Sequence, residues 1–233
     1  MKCGCIFLLN FLYRPPPALQ KIVLLVTFFF CLMGIGTSNN LFTLPNDLLN
    51  SMKDQYGESA KMRLLAWQGL IRNNTGLSDE EKLEVVNTFF NQMQFIDDKT
   101  HWHKSDYWAT PVEFLSSGGG DCEDFSLAKY FTIKALGVSE IKLNMTYVKA
   151  LQPNQAHMVV TYYTTPRAIP LVLDNLIADI QPATARKDLI PVYSFNGSGL
   201  WLAKTRGKGK KVGNSDRIRR WQNLLERMPE GLK

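Results

Sequence analysis

Cysteine is scarce in this chain of 233 residues, and its placement excludes a disulfide framework. Cys3, Cys5 and Cys31 fall within the first 31 residues, so Cys122 stands alone in the remaining sequence. Histidine is scarcer still, at three residues, which leaves few candidates for imidazole chemistry or metal ligation. Apolar runs are short. The run "IVLLVTFFFCLM" has twelve residues, against the ~20 that a membrane-spanning helix needs. Repeats of solenoid length and low-complexity tracts are absent too, which argues against repeat architectures and disordered arrays.

The apolar run has a telling setting. Lys2, Arg14 and Lys21 precede it without an acidic residue, and Gly34-Ile35-Gly36 follows as a small-x-small site. A basic lead, an apolar centre and small residues at the exit read as a secretory signal peptide over 1–36, with an uncleaved anchor as the alternative. Residues 37–233 are then one exported domain with a single thiol. An unpaired thiol is a liability in an oxidising compartment, so the arrangement points to a thiol that is used. Charge is uneven, with ten Lys/Arg against three Asp/Glu from Trp201 onward. The segment "KTRGKGKKVGNSDRIRRW" reads as a solvated loop leading into a basic amphipathic helix over about 214–228. An acidic partner or anionic lipid is the competing reading, and export argues against nucleic acid.

Apolar spacing predicts helices through 46–73 and again after Ser78, where Ser78 and Glu81 form a capping-box pair. Thr110-Pro111 suits a helix start, and Gly118-Gly119-Gly120 breaks that helix. A new helix is expected from Cys122, capped by Asp121, with Phe125, Ala128, Phe131, Ala135 and Leu136 as its apolar stripe and Gly137 as its stop. The period then changes to two. "KLNMTYVKAL", "AHMVVTYYT", "PLVLDNLI", "LIPVYSFN" and "GLWLAK" read as strands, and the turn-like "TPRAIP" makes a hairpin of the second and third. Helices, a central helix, an antiparallel sheet and a final helix make an α+β layout: a helical lobe at about 45–115, helix and sheet at about 116–204, then the C-terminal helix.

Three residues in this layout carry chemistry. Cys122 sits at a helix N-terminus, His157 near the start of one strand, and Asp174 near the end of its hairpin partner. That is a nucleophile, a base and an orienting acid. A helix N-terminus and an imidazolium both favour the thiolate. Taken singly, each residue has an ordinary structural role: a strand-edge imidazole, a turn-forming aspartate, a filler thiol. His101 and His103 lie in polar "THWHKSDYW" without further ligands nearby and do not read as a metal site. Asp121, Glu123 and Asp124 crowd the thiol with negative charge, which opposes thiolate formation. They read either as a helix cap and dipole complements or as ligands of a cation that reverses the local field. The Cys122 backbone N–H is the natural oxyanion donor at such a helix start. Trp108 is the nearest candidate in sequence for a second donor.

The blocks "DYWATPVEFL", "GGGDCEDFSLAKYF", "AHMVVTYY", "LVLDNL" and "DLIPVYSFNGSGLW" resemble the bacterial transglutaminase-like cysteine proteinases, over about residues 45–227. The resemblance implies a papain-like transglutaminase core, with Cys122 as nucleophile, His157 as general base and Asp174 as orienting acid. It implies Ca2+ held by Asp121, Glu123 and Asp124. It further implies a periplasmic endopeptidase that cuts a large secreted adhesin at a di-alanine site, releasing it and promoting biofilm dispersal. An inner-membrane cyclic di-GMP receptor of the LapD type would sequester the enzyme. Two other functions fit the same residues: a transglutaminase-like acyl transferase, and an inactive peptide-binding module that uses only the groove.

Overall fold

The structure, a computed structural model, describes residues 42–152, 154–202, 209–229 and 232. The expected signal peptide lies outside the described residues. No helix among the described residues is long and apolar enough to cross a membrane.

The chain opens with two helices, α1 (Asn46–Tyr56) and α2 (Glu58–Asn73), separated by Gly57. Helix α3 (Asp79–Phe90) starts at Ser78, whose hydroxyl accepts from the Glu81 N–H while Glu81 reaches back to the Ser78 N–H at 2.9 Å. The capping box expected there is formed. A short strand β1 (Gln94–Phe95) and one-turn helix α4 (Asp98–His101) follow. Helix α5 (Pro111–Ser117) has Pro at its first turn and a second capping box, between Thr110 and Glu113. Gly118 ends it in the left-handed region, with φ 92, a conformation that costs an L-residue with a side chain. Strand β2 (Gly119–Gly120) pairs in parallel with β1.

Helix α6 (Cys122–Ala135) is the centre of the domain. An amphipathic helix with one apolar stripe is the expectation from its sequence. Instead, every residue from Asp124 to Ile133 is buried. The reason is that α3 and α5 pack on it from the helical lobe while β3 and β4 pack on it from the sheet. Its polar residues find partners inside: Thr132 accepts from the Trp67 indole at 2.8 Å, and Ser126 donates to the Met158 carbonyl at 2.9 Å.

Strands β3 (Leu143–Ala150), β4 (Gln155–Tyr162), β5 (Leu171–Leu173), β6 (Gln181–Pro182), β7 (Leu189–Asn196), β8 (Gly199–Leu202) and β9 (Lys210–Gly213) form one antiparallel sheet in the order β6-β5-β4-β3-β7-β8-β9. The hairpin of β4 and β5 is present, with Val160 opposite Leu173. β9 corrects the sequence reading. Part of the basic segment is an edge strand, not a loop, since Lys210 and Lys211 pair with Leu202 and Trp201. Charged residues suit an exposed edge because they discourage further strand pairing. Helix α7 (Arg219–Arg227) is shorter than expected, because Ser215–Arg217 forms a 3-10 turn. It docks by Trp221, which stacks on Phe131 with centroids 5.4 Å apart.

Candidate active site

Cys122 is the first residue of α6, and Asp121 caps the helix as expected. β5 pairs with β4 only from Val160 to Tyr162, so the earlier part of that β4 edge has no strand partner. α6 fills the gap. Ser126 takes the Met158 carbonyl, and the Met158 N–H reaches the Cys122 sulfur. The thiol therefore lies beside the residue that follows His157.

His157 is buried, and its Nε2 lies 2.7 Å from Asp174 Oδ1. β5 ends at Leu173, so Asp174 opens the following loop. The same Oδ1 accepts the Leu176 N–H at 3.0 Å, and Oδ2 accepts from Arg186 Nη2 at 2.7 Å. Burial works to raise the Asp174 pKa, but the His157 hydrogen bond and charge, the Leu176 N–H and Arg186 outweigh it and hold the group at about 2. An ionised acid of this kind orients an imidazole and stabilises the imidazolium. Sequence reasoning missed Arg186. It is buried itself and also bonds Asp188 through Nε at 3.0 Å. The one available signal was an arginine and an aspartate two apart in the strand-poor "TARKDL" segment.

The acidic surroundings of the thiol extend beyond the three neighbours in sequence. Carboxylate oxygens of Asp98, Asp121 and Asp124 lie within 4.8 Å of one another, as do those of Asp98, Asp106 and Glu123, and as do the ligand atoms of Asp121, Cys122 and Glu123. Asp98 and Asp106 come from α4 and the loop after it; Asp106 lies in the "THWHKSDYW" segment read from sequence as polar and without further ligands, and Asp98 just before it. Burial is the main reason the Asp98 carboxyl rises to about 6 and the Asp121 carboxyl rises well above the usual carboxylate range, with repulsion from neighbouring acids adding to both. Burial also pushes the Cys122 thiol up, and Glu123, which accepts from Sγ at 2.9 Å, pushes it further.

These residues fit a divalent cation. Asp98 Oδ1, Asp106 Oδ1 and Asp121 Oδ1 are buried without a hydrogen-bond partner among the described residues, a costly state for carboxylate oxygens. Hard oxygen donors in this number suit Ca2+. Asp124 differs from the other two expected ligands. Its Oδ1 accepts the Ala109 N–H at 2.7 Å and its Oδ2 the Asp121 N–H at 3.4 Å, so it braces the loop that carries the others. Gly120 makes this possible, since a Cβ there would stand 2.2 Å from Asp124 Oδ2. Trp108, the candidate second oxyanion donor, is a core residue stacked on Phe195 with centroids 5.7 Å apart.

A Cys-bearing helix against an antiparallel sheet, with an imidazole–carboxylate pair at its N-terminus, defines an α+β transglutaminase-like core. The sequence profile described as bacterial transglutaminase-like cysteine proteinase matches residues 71–202. The chain belongs to that family. No curated protein matches it. Among solved structures, LapG of Legionella pneumophila is 43% identical, with a TM-score of 0.68 over 78% of this chain and 96% of that one. An EGTA-treated form of the same protein gives 0.69 at the same identity and coverage. A calcium-bound form gives 0.68 at 43% identity, over 80% of this chain and all of that one.

Proposed function

We propose that this protein is a periplasmic, calcium-dependent cysteine endopeptidase. It cuts the N-terminal region of a large secreted adhesin at a di-alanine site, releases it from the cell surface and so promotes biofilm dispersal. The observation that carries the catalytic part is the buried His157–Asp174 hydrogen bond of 2.7 Å beside the helix that begins with Cys122. Its family membership and likeness to LapG support the substrate class. Export follows from the signal-like N-terminus. Sequestration by an inner-membrane cyclic di-GMP receptor of the LapD type goes with the same reading.

In this mechanism Asp174 holds Nε2 of His157 and Arg186 keeps Asp174 ionised, leaving Nδ1 to take the thiol proton. The Cys122 sulfur attacks the scissile carbonyl, and the C–N bond breaks as His157 returns the proton to the leaving amine. The backbone N–H of Cys122 steadies the oxyanion. Water, deprotonated by His157, then hydrolyses the thioester and frees the thiol. Asp98, Asp106, Asp121 and Glu123 would hold Ca2+ with Asp124 bracing them. A bound ion would supply positive potential beside the sulfur and draw Glu123 into ligation.

The test uses an adhesin N-terminal fragment with a di-alanine site, incubated with the parent enzyme in Ca2+, the parent in EGTA, and Cys122→Ala in Ca2+. Cleavage only in the first is expected. Cleavage that persists in EGTA would remove the calcium dependence. Incorporation of a labelled amine into a glutamine peptide, faster than cleavage, would make the protein an acyl transferase instead.

A further inference from the structure

Lys129 is 1% exposed in the middle of α6, and among the described residues no carboxylate pairs with it directly. Its ammonium donates to Asn87 Oδ1 at 2.7 Å and to the backbone carbonyl of Asp174 at 3.0 Å. A buried charge held only by neutral oxygens is expensive. Burial pushes its pKa down to about 7, partly countered by the charge of Asp174. A core that needed only volume here would use methionine or leucine.

What the position offers is register. Cys122, Ser126 and Lys129 are spaced i, i+4 and i+7, so they lie along one face of α6. The first is the nucleophile. The second grips the Met158 carbonyl, one residue past His157. The third grips the carbonyl of Asp174 itself. Asn91, the C-cap of α3, donates to that same carbonyl at 2.9 Å and to Ile177 O at 3.3 Å, and Asn87 donates to Ala178 O at 2.8 Å. The loop that carries Asp174 is otherwise outside the sheet, because β5 ends one residue before it.

We propose that Lys129 is a positioning residue: it fastens the Asp174 main chain to the helix that bears Cys122, so that one helix face sets the spacing of all three catalytic groups. This rests on the catalytic assignment proposed above. Asn91 shares the grip from the helical lobe, and Asn87 orients the ammonium.

The test is the pH profile of Cys122 alkylation by iodoacetamide in Ca2+, read with Tm and with kcat and KM on the adhesin fragment. Parent protein, Asp174→Asn, Lys129→Met and Asn91→Asp are compared. The parent should show a thiolate midpoint below the ~8.5 of an ordinary thiol. Lys129→Met should move the midpoint toward that of Asp174→Asn and lower kcat by about 10- to 100-fold, as a misplacement near 1 Å does. KM and the calcium-induced Tm shift should stay as in the parent. A merely structural lysine predicts the opposite: methionine would leave the profile unchanged and raise Tm. Lys129→Met with the parent's profile and kcat overturns the proposal. If that variant does not fold, Asn91→Asp, at a half-buried site off α6, decides. It removes a donor to the same carbonyl, and an unshifted profile there overturns the shared grip. A parent thiol that titrates near ~8.5 counts instead against the underlying catalytic assignment.

Discussion

Calcium should stabilise the folded chain, and the acidic residues around Cys122 are the ones that should carry the effect. Three buried carboxylate oxygens, on Asp98, Asp106 and Asp121, have no hydrogen-bond partner among the described residues. Neighbouring acids raise one another's pKa in this cluster, and a bound cation would offset that repulsion and give the orphaned oxygens a partner. A ligand held at 100 times its Kd adds about 2.7 kcal/mol. For a domain of this size each kcal/mol moves Tm by about 2–4 °C, so saturating Ca2+ should raise Tm by about 5–11 °C. The assay is thermal unfolding in EGTA, in Ca2+ and in Mg2+, with Asp98→Asn beside the parent. Asparagine keeps an oxygen acceptor for the Tyr107 N–H that bonds Asp98. In EGTA the variant should match or exceed the parent, because one charge has left a repelling cluster. In Ca2+ it should gain less than half of what the parent gains. A parent that gains nothing, or a variant that gains as much as the parent, would refute the reasoning.

Further outcomes follow from other contacts. Asp174→Asn should lower kcat by roughly 10^3 to 10^4 with the fold retained, since it presents the wrong hydrogen-bond partner to His157; circular dichroism and the cleavage assay check both halves. Arg186→Met should cost about 3–5 kcal/mol in urea unfolding, because it removes the cation paired with Oδ2 of a buried carboxylate. Its pH dependence has a definite sign. Asp174 titrates lower in the folded state, at about 2, so its contribution is complete above the unfolded value of ~3.9 and fades as pH falls towards 2. Removing Arg186 raises the folded value, so acid unfolding should begin at higher pH. Gly120→Ala would drive a methyl group into Asp124; overpacking of this kind costs about 1–3 kcal/mol, and the calcium-induced Tm shift should shrink with it.

Much of this fold is legible along the chain, because local chemistry and tertiary packing agree there. Ser78 with Glu81, Thr110 before Pro111, and Gly118 after α5 announce their helix ends through hydrogen bonds and backbone angles that span only a few residues. The segments around His157 and before Asp174 are rich in β-forming residues with the turn-like "TPRAIP" between them, so the hairpin with β5 is readable too. What escapes reading is whatever distant packing decides. Ten buried residues in a row on α6 reflect layers on both sides, which no stripe within its own sequence encodes. β9 forms because β8 offers an edge, although Lys210 and Lys211 look like loop residues. Cys122, His157 and Asp174 stand out because their types are rare or sit in strong motifs. Arg186, Asp98 and Asp106 do not, since common surface residue types become site residues only when folding brings them in. Lys129 escaped for a related reason: a lysine within an apolar helix reads as its solvent-facing side.

The burial of α6 from Asp124 to Ile133 also bears on how such an enzyme can be silenced. Amide hydrogens along Asp124–Ile133 sit under two layers, so they should exchange with solvent only when the whole domain opens. The sulfur is thus mounted on the last part of the molecule to loosen. An inhibitory partner has no inexpensive way to tilt that mount. It must cover the cleft, or work on the rim: the turn at Asp98, the loop through Asp106, and the stretch from Asp174 to Asp188. Those segments lie outside the buried stretch of α6, so binding there could change the surroundings of the thiol without opening the core.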